Sequence, residues 1–204
     1  MNFVLIVTDT QPKSMLGAYG NRRVDTPNLD RLADTGIRFE RAYTACPLCT
    51  PARAGLFSGL HPPVNGAWCN NVAPAASVPL MGTIFRHYGF RTAYTGKWHL
   101  DGTGYFGDGV AGGGFEGDWW YAGKRYAQEI GPERFRLYRT CRTAAQLREA
   151  GFTEENIWGH GVVNRAIDFL RAVGDEPFLL VVSFDEPHGL SVASPAPLRA
   201  GAGG

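Results

Sequence analysis

The sequence predicts an α/β fold in which a largely parallel sheet is flanked by helices. Two continuous runs of aliphatic and β-branched residues, Phe3–Val7 and 178–182, are typical of strands that are buried on both faces. Strand and helix signals alternate between these runs, and such alternation favours parallel pairing. With 204 residues, of which 44% are hydrophobic, the chain is long enough to build the core of one domain.

Local sequence signals predict the elements of the first half of the chain. After the strand Phe3–Val7, a helix is expected to begin behind the N-cap Thr26, with Pro27 in its first position, and to end at Gly36. Residues 37–43 alternate as a strand does, and a short helix is expected to begin near Pro51.

The second half continues the alternation. A helix is expected over about 79–88 and a short strand over 90–95, followed by a long loop rich in glycine and aromatic residues at 102–126. Within that loop, the aromatic cluster 119–121 is equally suited to stacking on a sugar or aryl group and to filling the core. Thr153 is expected to cap a helix that runs to about Val173, and the strand 177–184 follows.

The domain is expected to occupy residues 1–192, ahead of a loose Gly/Ala/Pro tail at 193–204. The net charge of +1 argues against a nucleic-acid-binding or membrane-surface protein. Neither a membrane-spanning run nor a signal peptide is recognisable, so we expect a cytoplasmic chain with reduced cysteines. The 27 glycines favour an enzyme whose site is built from loops.

Reactive side chains follow the predicted strands. Asp9, Lys97, His99 and His188 each lie just past a strand. In open α/β sheets, ligands bind outside the carboxyl ends of the strands. These four residues therefore predict a functional site at one edge of the sheet.

A second group of candidates surrounds Cys49. The Cys46–Cys49 spacing is a weak metal or redox signal, because Cys69 and Cys141 are isolated and the helix signal comes later, at Pro51. Thr50 as N-cap would place Cys49 beside a helix N-terminus that favours anions, with Arg53 on the first turn. A buried structural thiol is the alternative, although an apolar core would not place an arginine beside it.

The segment Cys49-Thr50-Pro51-Ala52-Arg53 resembles the Cys-x-Pro-x-Arg signature of the type I sulfatases, in the alkaline phosphatase superfamily. The segment 58–70 is similar to the continuation of that signature, and Gly96-Lys97-Trp98-His99-Leu100 matches a second family motif. The resemblance extends from Asp9 to His188. It implies an alkaline phosphatase/sulfatase-like fold whose C-terminal part is missing from the chain, as in an N-terminal fragment.

The resemblance also implies a mechanism and roles for the matching residues. Cys49 would be oxidised by a maturation enzyme to formylglycine, whose hydrate attacks a small-molecule sulfate ester. Asp9 and Cys49 would hold a divalent metal, most suitably Ca²⁺. Lys97 would bind a sulfate oxygen, and His99 would contact the sulfate or the nucleophile. Arg53 would add positive charge around the sulfate oxygens and the nucleophile. His188 would lie near the leaving-group oxygen.

Three departures keep alternatives open. Thr10 stands where the family has a second Asp, so Thr10 or Gln11 would have to supply that ligand. No Asp, Asn, His or Lys follows His188, although the family's second pair of metal ligands comes later, so a truncated and catalytically incomplete protein is one alternative. A phosphonate monoester or phosphodiester hydrolase is the other. It is disfavoured because that group typically lacks the pair formed by Lys97 and His99.

Overall fold

A parallel four-stranded sheet forms the centre of the computed structural model, which describes residues 1–188. Its strand order is β1-β4-β2-β3, where the strands are β1 (Phe3–Val7), β2 (Arg91–Gly96), β3 (Trp120–Tyr121) and β4 (Phe178–Ser183). The helices are α1 (Pro27–Thr35), α2 (Cys49–Ser58), α3 (Pro62–Asn65), α4 (Met81–His87), α5 (Gly123–Ile130), α6 (Pro132–Thr140), α7 (Ala144–Glu149) and α8 (Trp158–Ala172). This arrangement confirms the predicted α/β fold.

The two faces of the sheet carry separate hydrophobic clusters. Alternate residues of β4 divide between them, so that Leu180 faces the cluster of α5–α8 and Leu179 faces the cluster that contains α2. The first cluster includes Tyr121, and the second includes Trp120. Both rings are buried, which decides the role of the segment 119–121 in favour of filling the core.

The register brings the carboxyl ends of three strands to one edge. Val7 of β1 and Gly96 of β2 both pair with Ser183 of β4. Gly96 has φ +107°, and a Cβ there would lie 1.8 Å from the Ser183 carbonyl oxygen, so the close pairing requires glycine. The residues that follow these three strands therefore emerge side by side.

Strand β1 is less buried than its sequence predicts. Within residues 1–188 it pairs with β4 alone, and Val4 and Ile6 are 52% and 54% exposed. Burial on both faces was thus a wrong prediction for β1, because it lies at the edge of the sheet, whereas all six residues of β4 are buried.

Several boundaries also differ from the prediction. Residues 37–43 form no strand, and helix α2 begins at Cys49 rather than near Pro51, with Leu48 as its N-cap. The loop predicted at 102–126 contains β3 and the start of α5. Thr153 caps the short 3-10 turn Glu154–Asn156, and α8 follows only at Trp158. Capping residues mark where a helical turn begins, not how far it continues.

The tail predicted at 193–204 lies outside the described residues. Among residues 1–188, no helix is both long enough and apolar enough to cross a membrane.

Candidate active site

Cys49 is the first residue of α2, and hydrogen bonds from its neighbours fix its position. The backbone N–H of Thr50 donates to Asn70 Oδ1 at 3.0 Å, so Asn70 satisfies a free amide of the first helical turn. The Thr50 hydroxyl donates to the backbone carbonyl of His99 at 2.9 Å. These bonds tie the N-terminus of α2 to the segment that follows β2.

Three side chains converge on the Cys49 thiol. Its Sγ lies 3.9 Å from Asp9 Oδ1, 3.8 Å from His188 Nε2 and 3.8 Å from Lys97 Nζ. Asp9 follows β1, Lys97 follows β2 and His188 lies shortly after β4. The aligned carboxyl ends of the strands thus place a thiol, a carboxylate, an ammonium and an imidazole within one cluster.

Lys97 is fully buried and is held between two carboxylates. Its Nζ lies 2.9 Å from Asp9 Oδ2 and 3.0 Å from Asp185 Oδ1, and it donates to the Tyr105 hydroxyl at 2.9 Å. Burial alone would raise the pKa of the Asp9 carboxyl. The hydrogen bond and charge of Lys97, together with Arg53, outweigh that effect and hold the Asp9 pKa below its usual range.

Arg53 reaches the cluster through Asp9. One of its terminal nitrogens lies 3.3 Å from Asp9 Oδ2, and the other donates to the Lys97 carbonyl at 2.7 Å and to Ser183 Oγ at 2.9 Å. The guanidinium is buried, so these bonds fix its plane. Arg53 therefore braces both Asp9 and the backbone of Lys97.

His99 lies beside the cluster in a left-handed backbone conformation, with φ +59°. Its Nε2 lies 2.9 Å from Asn71 Oδ1, and because an amide oxygen only accepts, Nε2 carries the proton. Its Nδ1 is buried and has no hydrogen-bond partner within residues 1–188. Burial, reinforced by the charges of Lys97 and Arg53, lowers the pKa of His99 to about 4. His99 is thus neutral near pH 7 and presents an acceptor nitrogen.

Asp9, Cys49 and His188 of this cluster line a cavity of about 1080 Å³. Asp9, Cys49 and His188 each offer one metal-ligand atom, and these atoms lie within 4.8 Å of one another. Thr10 and Gln11 line the same cavity. The carboxylate of Asp9 suits a divalent cation, and the two residues that follow it offer neutral oxygens nearby.

Three residues of the site were missed from the sequence. Asp185 pairs with Lys97, Tyr105 bonds to both Lys97 and Asp185, and Asn71 holds His99. Asp185 had a usable signal, because it follows β4 as Asp9 follows β1. Tyr105 lies in an irregular glycine-rich loop, where no sequence pattern indicates which neighbours its side chain meets.

The solved structures that resemble this chain define its class. A phosphonate monoester hydrolase of Agrobacterium radiobacter superposes with a TM-score of 0.73 at 22% identity, over 95% of this chain and 42% of that one. A sulfatase from Bacteroides fragilis gives 0.63 at 22% identity, over 92% and 44%. The fold is therefore of the alkaline phosphatase/sulfatase type.

Sequence comparisons define the family. A family model described as Sulfatase matches residues 1–201. An uncharacterised sulfatase of Escherichia coli is 45% identical over 92% of this chain and 38% of its own length, and an ulvan-active sulfatase of Formosa agariphila is 30% identical over 92% and 35%. The chain belongs to the sulfatase family, and it spans less than half the length of these relatives.

Proposed function

We propose that the protein hydrolyses sulfuric esters, with Cys49, converted to formylglycine, as the nucleophile. The observation that carries this proposal is the convergence of Asp9, Lys97 and His188 on the Cys49 Sγ, at distances of 3.8–3.9 Å. The same position would place a converted side chain beside a carboxylate, a cation and a proton donor. Membership of the sulfatase family supports this assignment.

Lys97 and Arg53 would have different roles beside the nucleophile. Lys97 Nζ lies 3.8 Å from Sγ, close enough to contact an oxygen of a sulfate attacked there. Arg53 neutralises charge through Asp9 and keeps Lys97 in place through the Lys97 carbonyl. Both groups are fixed before substrate arrives, so little reorganisation is needed as negative charge shifts to the leaving oxygen.

The two histidines take different parts. His188 Nε2 lies 3.8 Å from the Cys49 Sγ, on the cavity side, where it can pass a proton to the departing alcohol. His99 is neutral and its Nδ1 is an acceptor, so it suits a hydroxyl of the nucleophile better than a sulfate oxygen. We therefore assign His99 to the nucleophile and His188 to the leaving group.

Asp9 and the converted Cys49 are the residues that would hold a divalent cation, and Thr10 or Gln11 would add a neutral oxygen. Oxygen donors of this kind favour Ca²⁺. Such a cation supplies Lewis-acid stabilisation of sulfate charge when it is bound. Hydration of the formylglycine aldehyde would supply two hydroxyls, one to attack the sulfate ester and one whose deprotonation would release sulfate as the aldehyde re-forms. A maturation enzyme that oxidises Cys49 is the partner this chemistry requires.

Hydrolysis of an aryl sulfate and of an aryl phosphonate tests the proposal. The protein is produced together with a formylglycine-generating enzyme, and Cys49→Ala is compared with Cys46→Ala, which changes another cysteine of the same cavity. We expect hydrolysis of the sulfate that is lost in Cys49→Ala and kept in Cys46→Ala. A strong preference for the phosphonate would instead identify a phosphonate monoester hydrolase. Equal rates in Cys49→Ala and the unmutated protein would refute the role of Cys49.

A further inference from the structure

We propose that the protein with unconverted Cys49 binds Zn²⁺ through Cys49 Sγ, His188 Nε2 and Asp9 Oδ1. The site differs from the cation site proposed for catalysis in its metal, in its use of a sulfur ligand and in the participation of His188. It depends on the thiol itself, so it stands or falls independently of the proposed hydrolase function.

The spacing of the three ligand atoms suits tetrahedral zinc. Zinc–sulfur bonds of about 2.3 Å and zinc–nitrogen or zinc–oxygen bonds of about 2.0–2.2 Å place tetrahedral ligand atoms about 3.5 Å apart. The Cys49 Sγ lies 3.8 Å from His188 Nε2 and 3.9 Å from Asp9 Oδ1. These two pairs need to close by only a few tenths of an ångström, and all three ligand atoms lie within 4.8 Å of one another.

The donor set also favours zinc over a hard cation. A thiolate and an imidazole are preferred zinc ligands, whereas Ca²⁺ and Mg²⁺ take oxygen. Three protein ligands beside a cavity of about 1080 Å³ leave the fourth position open to water or a small ligand. An arrangement of three protein ligands with one open position is the pattern of catalytic zinc sites rather than structural ones.

The two cations beside Asp9 contact its Oδ2 and leave its Oδ1 directed towards the proposed zinc position. Lys97 and Arg53 both approach Oδ2, at 2.9 and 3.3 Å, whereas Oδ1 faces Cys49. The two cations oppose a further positive charge, and the Asp185 carboxylate, 3.0 Å from Lys97 Nζ, offsets part of that repulsion. When zinc binds, the Cys49 S–H bond breaks, an S–Zn bond forms and the proton passes to the buffer, so no oxidant or reductant is needed.

Backbone hydrogen bonds hold the ligand-bearing segments together. The Asp9 N–H donates to the Glu186 carbonyl at 3.3 Å, and the His188 N–H donates to the Asp185 carbonyl at 3.0 Å. Asp9 and His188 come from segments far apart in sequence, and these bonds bring them to the same place. Binding therefore requires little ordering of the chain.

The consequence is a change of metal preference on maturation. Conversion of Cys49 replaces sulfur with oxygen donors, so the converted protein should lose affinity for zinc at this site. While zinc is bound, the thiolate is coordinated and is not available for oxidation.

Cobalt substitution tests the site directly. The unconverted full chain is titrated with Co²⁺, because tetrahedral cobalt with a thiolate ligand gives a sulfur-to-cobalt band in the near ultraviolet together with visible bands. We expect both sets of bands to saturate at one equivalent, to disappear when Zn²⁺ is added, and to be accompanied by release of one proton. Protein that carries the converted Cys49 should show no sulfur-to-cobalt band.

Matched variants identify the ligands. Cys49→Ser should abolish the sulfur band, and His188→Gln should weaken cobalt binding at least tenfold, while Cys46→Ser and the exposed His61→Gln should leave the titration unchanged. Circular dichroism and thermal unfolding of each variant verify that it is folded. A sulfur band that survives in Cys49→Ser, or one that Cys46→Ser abolishes, would overturn the assignment, as would a titration of the unmutated protein without any sulfur band.

Discussion

Replacing Lys97 with methionine removes a buried cation while keeping most of its apolar stem. Lys97 Nζ lies 2.9 Å from Asp9 Oδ2 and 3.0 Å from Asp185 Oδ1, and the residue is fully buried. The variant therefore leaves two buried carboxylates without their shared partner. We expect a large loss of stability whose size depends on pH.

The size of the stability loss can be derived from the two contacts of Lys97 with Asp9 and Asp185. At an effective dielectric constant of about 20, each contact contributes about 5–6 kcal/mol of attraction. Dehydration of the ammonium offsets a large part of this gain, and removal of one partner from a buried ion pair costs about 3–5 kcal/mol. We therefore expect Lys97→Met to lower the free energy of unfolding at pH 7 by about 3–5 kcal/mol.

The sign of the pH dependence follows from the Asp9 pKa. Because Lys97 and Arg53 lower that pKa in the folded protein, the stabilisation is present above the usual carboxyl pKa and is lost only in more acidic solution. Without Lys97, the largest of the interactions that lower the Asp9 pKa is lost, so that pKa rises. The variant should then regain stability as the pH falls from 7 to 5, and the gap to the unmutated protein should narrow.

Urea unfolding at pH 7 and at pH 5, followed by circular dichroism, measures both effects. Lys13→Met is the control, because Lys13 forms an exposed pair with Glu40 at 3.8 Å and should change stability by less than about 0.5 kcal/mol. A Lys97→Met variant within about 1 kcal/mol of the unmutated protein at pH 7 would show that the buried ion pairs of Lys97 contribute little to stability. A gap that stays constant between the two pH values would refute the charge-based part of it.

Three further predictions concern the sheet edge, His99 and the metal. Gly96→Ala should prevent stable folding or lower the free energy of unfolding by more than about 4 kcal/mol, because a Cβ there would lie 1.8 Å from the Ser183 carbonyl oxygen. The control Gly89→Ala meets no atom within 4 Å, so it should lower that free energy by only about 1–2 kcal/mol, for its positive φ. Urea unfolding compares the two variants, and equal losses would contradict the close pairing of Gly96 with Ser183. Burial lowers the pKa of His99 to about 4 in the folded protein, below its usual 6.5, so between pH 6.5 and pH 4 the unfolded chain binds more protons than the folded protein. Stability should therefore fall as the pH is lowered from 6.5 to 4. His99→Gln should flatten this dependence in thermal unfolding, and an unchanged slope would show that another group is responsible. The 204-residue chain should bind Ca²⁺ only weakly in calorimetric titration, because the Cys49 cluster offers few of the roughly 6–8 oxygen ligands that Ca²⁺ takes. Tight one-to-one binding would contradict the expectation of an incomplete site.

The position of the site, at the sheet edge where the carboxyl ends of the strands lie, could be predicted because the strands are parallel. Hydrophobic runs located β1 and β4, and the polar residues after each strand were expected to meet once the strands were taken as parallel. The structure confirms that Asp9, Lys97 and His188 lie together around Cys49. Their catalytic roles remain predictions.

Other features depend on packing that local sequence does not record. The alternation of residues 37–43 is that of a strand, yet no neighbouring strand pairs with them in the described structure. Phe3–Val7 has the composition of a central strand but lies at an edge of the sheet that residues 1–188 form. Lys97 donates to the hydroxyl of Tyr105, which lies in the loop after β2, and a contact of that kind depends on the path of the whole loop.

The role of Cys49 as the precursor of the nucleophile is tested by the mass of the peptide that contains it, measured after the protein is produced with a formylglycine-generating enzyme. We predict that the thiol is replaced by an aldehyde at Cys49 and at no other cysteine, and that aryl sulfate hydrolysis rises in proportion to the converted fraction. A peptide that keeps its thiol in protein that still hydrolyses the sulfate would contradict the role of Cys49, as would hydrolysis that does not change with the converted fraction.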